Sequence, residues 1–218
     1  MKKVAFFHST MNTPLPLKQA FHKRFPDTPL ITVMDDSILP EVIENNSNHT
    51  PGIVRRLVSF GINAQLQGAC VAVCMCTTLT GAVAEAAKAM DIPFVTIDGP
   101  MLAEAVTRGE KVALLITAKT TTVASSRSAR EAAVRAGREH VQVDTILVEG
   151  AFEALNVQRD KELHDRLIAD AARVAARDHD VIALAQVSMV DAADLLTDLS
   201  VPVLTSLKSG IEQIGQYL

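Results

Sequence analysis

Val71-Ala72-Val73-Cys74-Met75-Cys76 reads against Val181-Ile182-Ala183-Leu184-Ala185-Gln186, at an offset of 110 residues. Both stretches are short, nearly unbroken apolar runs rather than alternating ones. A strand covered by helices on both faces has that composition, so a parallel sheet is predicted. Two further pairs keep the same order. Lys3-Val4-Ala5-Phe6-Phe7-His8-Ser9 matches Lys111-Val112-Ala113-Leu114-Leu115-Ile116-Thr117 at an offset of 108, and Ile92-Pro93-Phe94-Val95-Thr96 matches Val201-Pro202-Val203-Leu204-Thr205 at 109. Three matches in one order, at about half the chain length, predict an internal duplication.

Working outward, strand-like runs alternate with helical ones throughout, the pattern of an α/β fold. The strands read are Val4–His8, Leu30–Met34, Cys70–Cys74, Pro93–Ile97, Val112–Ile116, Val141–Leu147, Val181–Ala185 and Pro202–Thr205. Helical stretches include Thr50–Gln67, Gly81–Met90, Val123–Ala136, Lys161–Arg177 and Ser188–Leu199. The repeat divides the chain into two similar parallel-sheet subdomains: 1–98 with 207–218, carrying Cys76, and 99–206, carrying Gln186. No Gly/Ser linker separates them. Open α/β sheets bind ligands outside the carboxyl ends of their strands. Those ends here carry Ser9 and Thr10, Cys76 to Thr78, Thr117 to Thr122, and Gln186 with Ser188. The expectation is that these four segments converge on one cleft between the halves.

Composition narrows the function. The 218 residues are 48% hydrophobic and 21% charged, a balance that supports a buried core. Aromatics make up only 4% and the net charge is −4, which argues against a nucleic-acid partner needing stacking rings and a basic face. No apolar run approaches the ~18 residues of a membrane span, and no membrane partner is expected. The apolar run behind Met1-Lys2-Lys3 ends after five residues at His8-Ser9-Thr10, so it reads as a first strand and not an export signal. Three cysteines between 70 and 76 make no disulfide framework, which points to a cytoplasmic location. They also lack a second Cys or His pair at zinc-like spacing, so no metal is expected.

The residues suited to chemistry sit at strand ends. Cys76-Thr77-Thr78 follows a buried strand and precedes a helix opening near Gly81. Free backbone N–H groups and the positive helix end there favour a thiolate, so Cys76 is the candidate acid, base or nucleophile. Cys70 and Cys74 lie inside the apolar strand and read as core. Ala118-Lys119-Thr120-Thr121-Thr122 opens another helix. Its hydroxyls and N–H groups suit a carboxylate, with ordinary capping as the plainer alternative. Lys119 is placed to pair with an anion, or simply to be solvated. His8 ends the first strand and is a candidate second acid or base. His49 reads as a helix-start residue that could cover the site, whereas His22, His140, His164 and His179 read as surface. Asp35-Asp36-Ser37 reads as a turn. No phosphate-binding Gly loop, and nothing marking pyridoxal phosphate or nicotinamide, is present, so no cofactor is expected.

These residues resemble the aspartate/glutamate/hydantoin racemase superfamily, which also includes maleate isomerases and arylmalonate decarboxylases. The resemblance spans nearly the whole chain. It rests on Cys76-Thr77-Thr78, on Ile92-Pro93 before Asp98, on Leu115-Ile116-Thr117 with the threonines after it, and on Asp180 through Met189. That last segment is similar to a branch with Ala-Gln-x-Ser-Met in place of the second cysteine motif. The resemblance implies two α/β subdomains about a pseudo-twofold axis, with a cysteine from each flanking a small carboxylate or amino-acid-like substrate. One thiolate removes the α-proton, the opposite thiol returns one, and hydroxyls and amides hold the enediolate-like form. Cys76 matches the first cysteine, and Thr77 and Thr78 match carboxylate-binding positions. Ser9, Thr10, Thr117, Thr120, Thr121, Gln186 and Ser188 complete the expected substrate-binding set. Gln186 falls where the second cysteine belongs, and no cysteine follows residue 76. An amide cannot exchange protons near neutral pH. The implied activity is a cofactor-independent racemase or isomerase acting α to a carboxylate through Cys76. A cysteine-dependent decarboxylase and a non-catalytic carboxylate-binding protein are the alternatives. Self-association into a homo-oligomer is left open.

Overall fold

The computed structural model describes residues 2–11, 14–45 and 48–218. The chain divides into two compact units: residues up to Ile97 together with Gly210–Leu218, and Asp98–Ser209. The expected divisions at 98/99 and 206/207 differ from these by one and three residues.

In the first unit β1 (Lys3–His8), α1 (Pro14–Arg24), β2 (Leu30–Met34), α2 (Ile38–Glu44), α3 (Pro51–Leu66), β3 (Ala69–Cys74), α4 (Thr80–Ala87) and β4 (Phe94–Thr96) follow in order. All four strands are parallel, in the order β2-β1-β3-β4. Side chains alternate across the sheet, so Ala5, Phe7, Ala72 and Cys74 pack with Leu57, Phe60, Leu79 and Val83 of the α3–α4 side. Val4, Phe6, Val71 and Val73 are equally buried. Phe6 meets Phe21 of α1 edge-on at 5.3 Å between ring centres. With both faces covered, β1 and β3 have no polar side, which is why they read as continuous apolar runs.

The second unit contains α5 (Gly99–Arg108), β5 (Lys111–Ile116), α6 (Thr122–Arg135), β6 (Gln142–Leu147), α7 (Ala151–Asn156), α8 (Lys161–Ala175), β7 (Val181–Leu184), β8 (Val203–Thr205) and the start of α9 (Ser206–Ile214). Its strands are again parallel, in the order β6-β5-β7-β8. One face packs Leu114, Ile116 and Ala183 against α5 and α6; the other packs Leu115, Ile182 and Leu184 against α8 and its neighbours.

The duplication holds down to single hydrogen bonds. Phe7 pairs with Cys74 as Leu115 pairs with Leu184. Cys74 pairs with Thr96 as Leu184 pairs with Thr205. Met75 N–H donates to the Phe7 carbonyl at 2.9 Å, and Ala185 N–H to the Leu115 carbonyl at 3.1 Å. The offsets of 108, 110 and 109 are therefore structural as well as sequential, and Gln186 occupies in its unit the place of Cys76.

Two readings need correction. Residues Val187–Leu196, read as part of a helical stretch from Ser188 to Leu199, form 3₁₀ turns rather than α-helix. Met189 and Ala192, three apart, are buried there, as a three-residue turn requires. His164, expected on the surface, is fully buried and bonds through Nδ1 to the Ala151 carbonyl at 2.8 Å. It lies on the stripe His164, Ile168, Ala169, Ala172 and Ala175 that α8 turns inward. His179 is largely enclosed too, held between the Ala175 carbonyl and Asp144. No helix among the described residues is long and apolar enough to cross a membrane.

Candidate active site

The first unit gathers its polar residues where β1 and β3 end. After Cys74 the chain continues through Met75 to Cys76, which is extended (φ −126°, ψ 107°), and then turns into the 3₁₀ segment Thr77–Leu79 ahead of α4. The turn closes when Leu79 N–H donates to the Cys76 carbonyl at 3.1 Å, and the Thr80 hydroxyl fixes the Thr77 carbonyl at 2.8 Å. This geometry turns amides back toward the sulfur. The Ser9 and Thr78 side chains and the Thr78 and Leu79 N–H groups lie around the Cys76 thiol and act to lower its pKa. Ser9, Thr77 and Thr78 are buried, and Thr10 is half-buried.

The thiol's acidity differs from the sequence expectation. Part of the Cys76 surface is exposed, yet desolvation by burial pushes the thiol above the usual range, and these four groups offset this only in part. Desolvating an anion costs more than a few neutral donors return. Cys76 therefore rests as the protonated thiol, with the donors that would receive a thiolate already around it. Cys74 is wholly buried in the core and Cys70 bonds to the Lys3 carbonyl, so neither competes.

His8 is buried beside Phe6, their ring centres 6.2 Å apart. Burial lowers its pKa to about 4, so the ring is neutral near pH 7 and a weak base. His49, expected as a helix-start residue that could cover the site, reaches the Thr78 carbonyl through Nε2 at 2.8 Å. Sequence separation hides this contact, because the two residues lie 29 positions apart. Asp35 and Ser37 form the expected turn, with the Ser37 hydroxyl on Asp35 Oδ1 at 2.6 Å.

The second unit repeats the turn twice. Gln186 is extended (φ −106°, ψ 144°) ahead of its 3₁₀ segment, and Met189 N–H closes on the Gln186 carbonyl at 3.0 Å. Ala118 does the same before Lys119–Thr121. Gln186 Oε1 accepts from Thr117 N–H at 2.5 Å and from the Thr117 hydroxyl at 2.9 Å. A backbone N–H can only donate, so the atom facing it must be the carbonyl oxygen. The amide is thereby locked, and Nε2 makes no hydrogen bond among the described residues. Thr117 thus anchors Gln186. Thr121 is buried with its hydroxyl on the Ala118 carbonyl at 2.7 Å, while Thr120 and Ser188 are half-buried. Lys119 is exposed.

The structure thus forms two clusters of expected residues, Ser9–Cys76–Thr78 and Thr117–Gln186. The first holds an ionisable sulfur among donors; the second offers a fixed, uncharged N–H₂ group.

A family model described as Asp/Glu/Hydantoin racemase matches residues 9–214. Among solved structures, glutamate racemase isoform RacE1 from Bacillus anthracis superposes with a TM-score of 0.68 at 14% identity, covering 99% of this chain and 80% of that one. Allantoin racemase from Klebsiella pneumoniae gives 0.67 at 15%, covering 99% and 87%. Unliganded arylmalonate decarboxylase gives 0.63 at 16%, covering 100% and 93%. These likenesses establish the fold. Among curated protein sequences no significant match is found.

Proposed function

Since this chain belongs to the Asp/Glu/hydantoin racemase family, we propose that it is a cofactor-independent isomerase or racemase acting at the carbon α to the carboxylate of a small acid or amino acid, with Cys76 as the acid/base. The observation that carries this reading is the convergence of two hydroxyls and two backbone N–H groups on one sulfur. Such an arrangement stabilises a thiolate formed transiently, at the moment when charge moves. Once the thiol has given its proton to solvent, the thiolate takes the α-hydrogen as a proton, and the electron pair left on carbon delocalises into the carboxylate. Return of the proton from the thiol to that carbon restores the C–H bond.

Gln186, the structural counterpart of Cys76, supplies no proton. Its anchored Nε2 donates to a substrate oxygen, which makes proton delivery one-sided. The substrate group at this position is then a carboxylate or carbonyl oxygen and not an ammonium. Inversion, where it occurs, draws the second proton from water.

One observation favours a second reading. Because burial keeps the thiol protonated, Cys76 is set to give a proton first, as a decarboxylase needs when loss of carbon dioxide leaves an electron pair on carbon.

A panel of small mono- and dicarboxylates incubated in deuterated water tests both. Exchange at the α-carbon of one enantiomer, much faster than its inversion, is the expected result. Carbon dioxide release with deuterium on a single face assigns the second reading. Fast exchange and inversion of both enantiomers refutes one-sided delivery. Ligand binding with neither exchange nor gas release refutes catalysis.

A further inference from the structure

The two sheets end on equivalent outer strands, and these two edges are built differently. β6 lies beside β5 as β2 lies beside β1, each at the end of its sheet. β6 carries Gln142, Asp144 and Thr145. Asp144 accepts from the Gln142 amide at 2.8 Å and meets His179 Nε2 at 3.1 Å, and Thr145 shares a hydrogen bond with Ser126 of α6. A charged side chain and covering contacts of this kind keep an edge from pairing with another chain. β2 reads Leu30-Ile31-Thr32-Val33-Met34, without a charge, and its last three residues are exposed. The helices before and after it also carry exposed apolar side chains. α1 meets the Phe6 face of the sheet through Phe21 and leaves Leu15 exposed; α2 packs through Ile38 and Val42 on the Phe7 face and leaves Ile43 exposed.

The backbone fixes which groups of β2 face outward. Val4 N–H donates to the Pro29 carbonyl at 3.1 Å and Asp35 N–H to the His8 carbonyl at 3.0 Å, so Pro29, Ile31, Val33 and Asp35 face β1. By the two-residue period of a strand, the N–H and C=O groups of Leu30, Thr32 and Met34 point away from the sheet. We propose that the occupant of this edge is a second copy of the chain, its β2 paired antiparallel with the first about a two-fold axis at Thr32. Leu30 then meets Met34 of the second copy, Ile31 meets its Val33, and Thr32 meets its Thr32. Apolar residues of similar size flank a Thr–Thr pair, and each outward N–H and C=O falls in a hydrogen-bonded position. Charge fits the same register. The basic last turn of α1, His22-Lys23-Arg24, leads through a short turn into Leu30, and Asp35-Asp36 follow Met34. The antiparallel copy brings each acidic end beside a basic one, with Asp35 and Asp36 facing Pro29 and Thr28 of the second copy rather than an acid. A five-residue edge spans roughly 17 Å and needs flanking surface to approach the ~800 Å² per partner of a standard interface. Leu15 and Ile43 extend the apolar surface to both faces. The pairing is independent of the reaction proposed at Cys76.

Sedimentation equilibrium of the whole chain tests it. Wild type is expected at twice the chain mass of 23.4 kDa. A mass of 23.4 kDa at about 100 μM protein overturns the proposal, because a Kd tighter than about 10 μM would leave mostly dimer there. Thr32→Lys and Thr32→Glu each set like charges directly opposite one another across the axis, and each is expected to be monomeric at low salt. Mixed in equal amounts, the two variants should return to the dimer mass, since only the mixed pair places a lysine against a glutamate. An oligomer that persists in either variant alone overturns the proposal, as does a mixture that stays monomeric. Thr32 is exposed, so circular dichroism of both variants should match wild type. Should either fail to fold, amide hydrogen exchange of the wild-type protein decides. Slow exchange at Leu30, Thr32 and Met34 that speeds up on dilution sustains the pairing. Fast exchange at all three, at every concentration, overturns it.

Discussion

Thr117→Val is the sharpest perturbation of the Gln186 anchor, because it removes one hydroxyl and keeps the shape. Gln186 Oε1 accepts from the Thr117 hydroxyl at 2.9 Å and from the Thr117 N–H at 2.5 Å, and Thr117 is 5% exposed. Losing the hydroxyl removes one hydrogen bond, worth about 1 kcal/mol net. The N–H bond remains, so the amide keeps its orientation. Gln186→Leu is more costly, since it strands both donors. A buried N–H without a partner costs about 1–3 kcal/mol, and the hydroxyl can turn elsewhere. The informative case is the double variant. Once Gln186 is leucine, the Thr117 hydroxyl has no acceptor to lose, so the same Thr117→Val change should be close to neutral. A coupling of about 1 kcal/mol follows, read from chemical denaturation of the four proteins. In thermal melts the single Thr117→Val change corresponds to about 2–4 °C for a chain of this length. If Thr117→Val costs the same in both backgrounds, the two side chains act independently and the anchored amide is wrong.

Further outcomes follow from the same contacts. The pH–rate midpoint for alkylation of Cys76 is expected above the ordinary thiol value of about 8.5, because burial outweighs its four donors; a midpoint below that value contradicts the site as described. Cys76→Ser should abolish α-proton exchange while leaving circular dichroism unchanged, and an active serine variant would dismiss the thiol as the proton carrier. His8 has its pKa lowered from 6.5 to about 4 by burial, so the unfolded chain binds the extra proton first. Stability should therefore fall as pH drops from about 6.5 toward 4, and His8→Asn should flatten that limb of the denaturation profile; an unchanged limb refutes the assignment. Gly210→Ala would drive a Cβ into the Ile97 backbone carbonyl oxygen and side chain. It should destabilise by about 1–3 kcal/mol in a melt, whereas at Gly61 the obstacle is the flexible end of Met90 and the cost should be smaller.

What the sequence made legible follows from where each signal resides. The central strands, buried on both faces, are apolar at nearly every position and could be read locally, and the repeat register could be carried from strand to turn; the edge strands Leu30–Met34 and Gln142–Leu147 are partly exposed. That register is what made Gln186 the counterpart of Cys76 before any contact was visible. Helices starting with proline were harder to place. Pro14–Arg24 and Gly99–Arg108 open on residues that also end structure, although proline in a first turn leaves no needed N–H unpaired. His164 could have been recovered from spacing, since it shares the inward stripe of Ile168 and Ala172, but the polar residues around it masked that stripe. The acidity of Cys76 was not readable at all. Its strand-end position correctly announced nearby N–H donors, yet desolvation depends on how much of the surrounding fold closes over the sulfur, and local sequence does not encode that. The His49 contact is hidden in the same way, because it is one bond across 29 residues to a carbonyl. The chemistry of a site like this one is set by which groups a turn gathers around a reactive atom. Residue types locate the turn, and the tertiary contacts that close over it determine how strongly it acts.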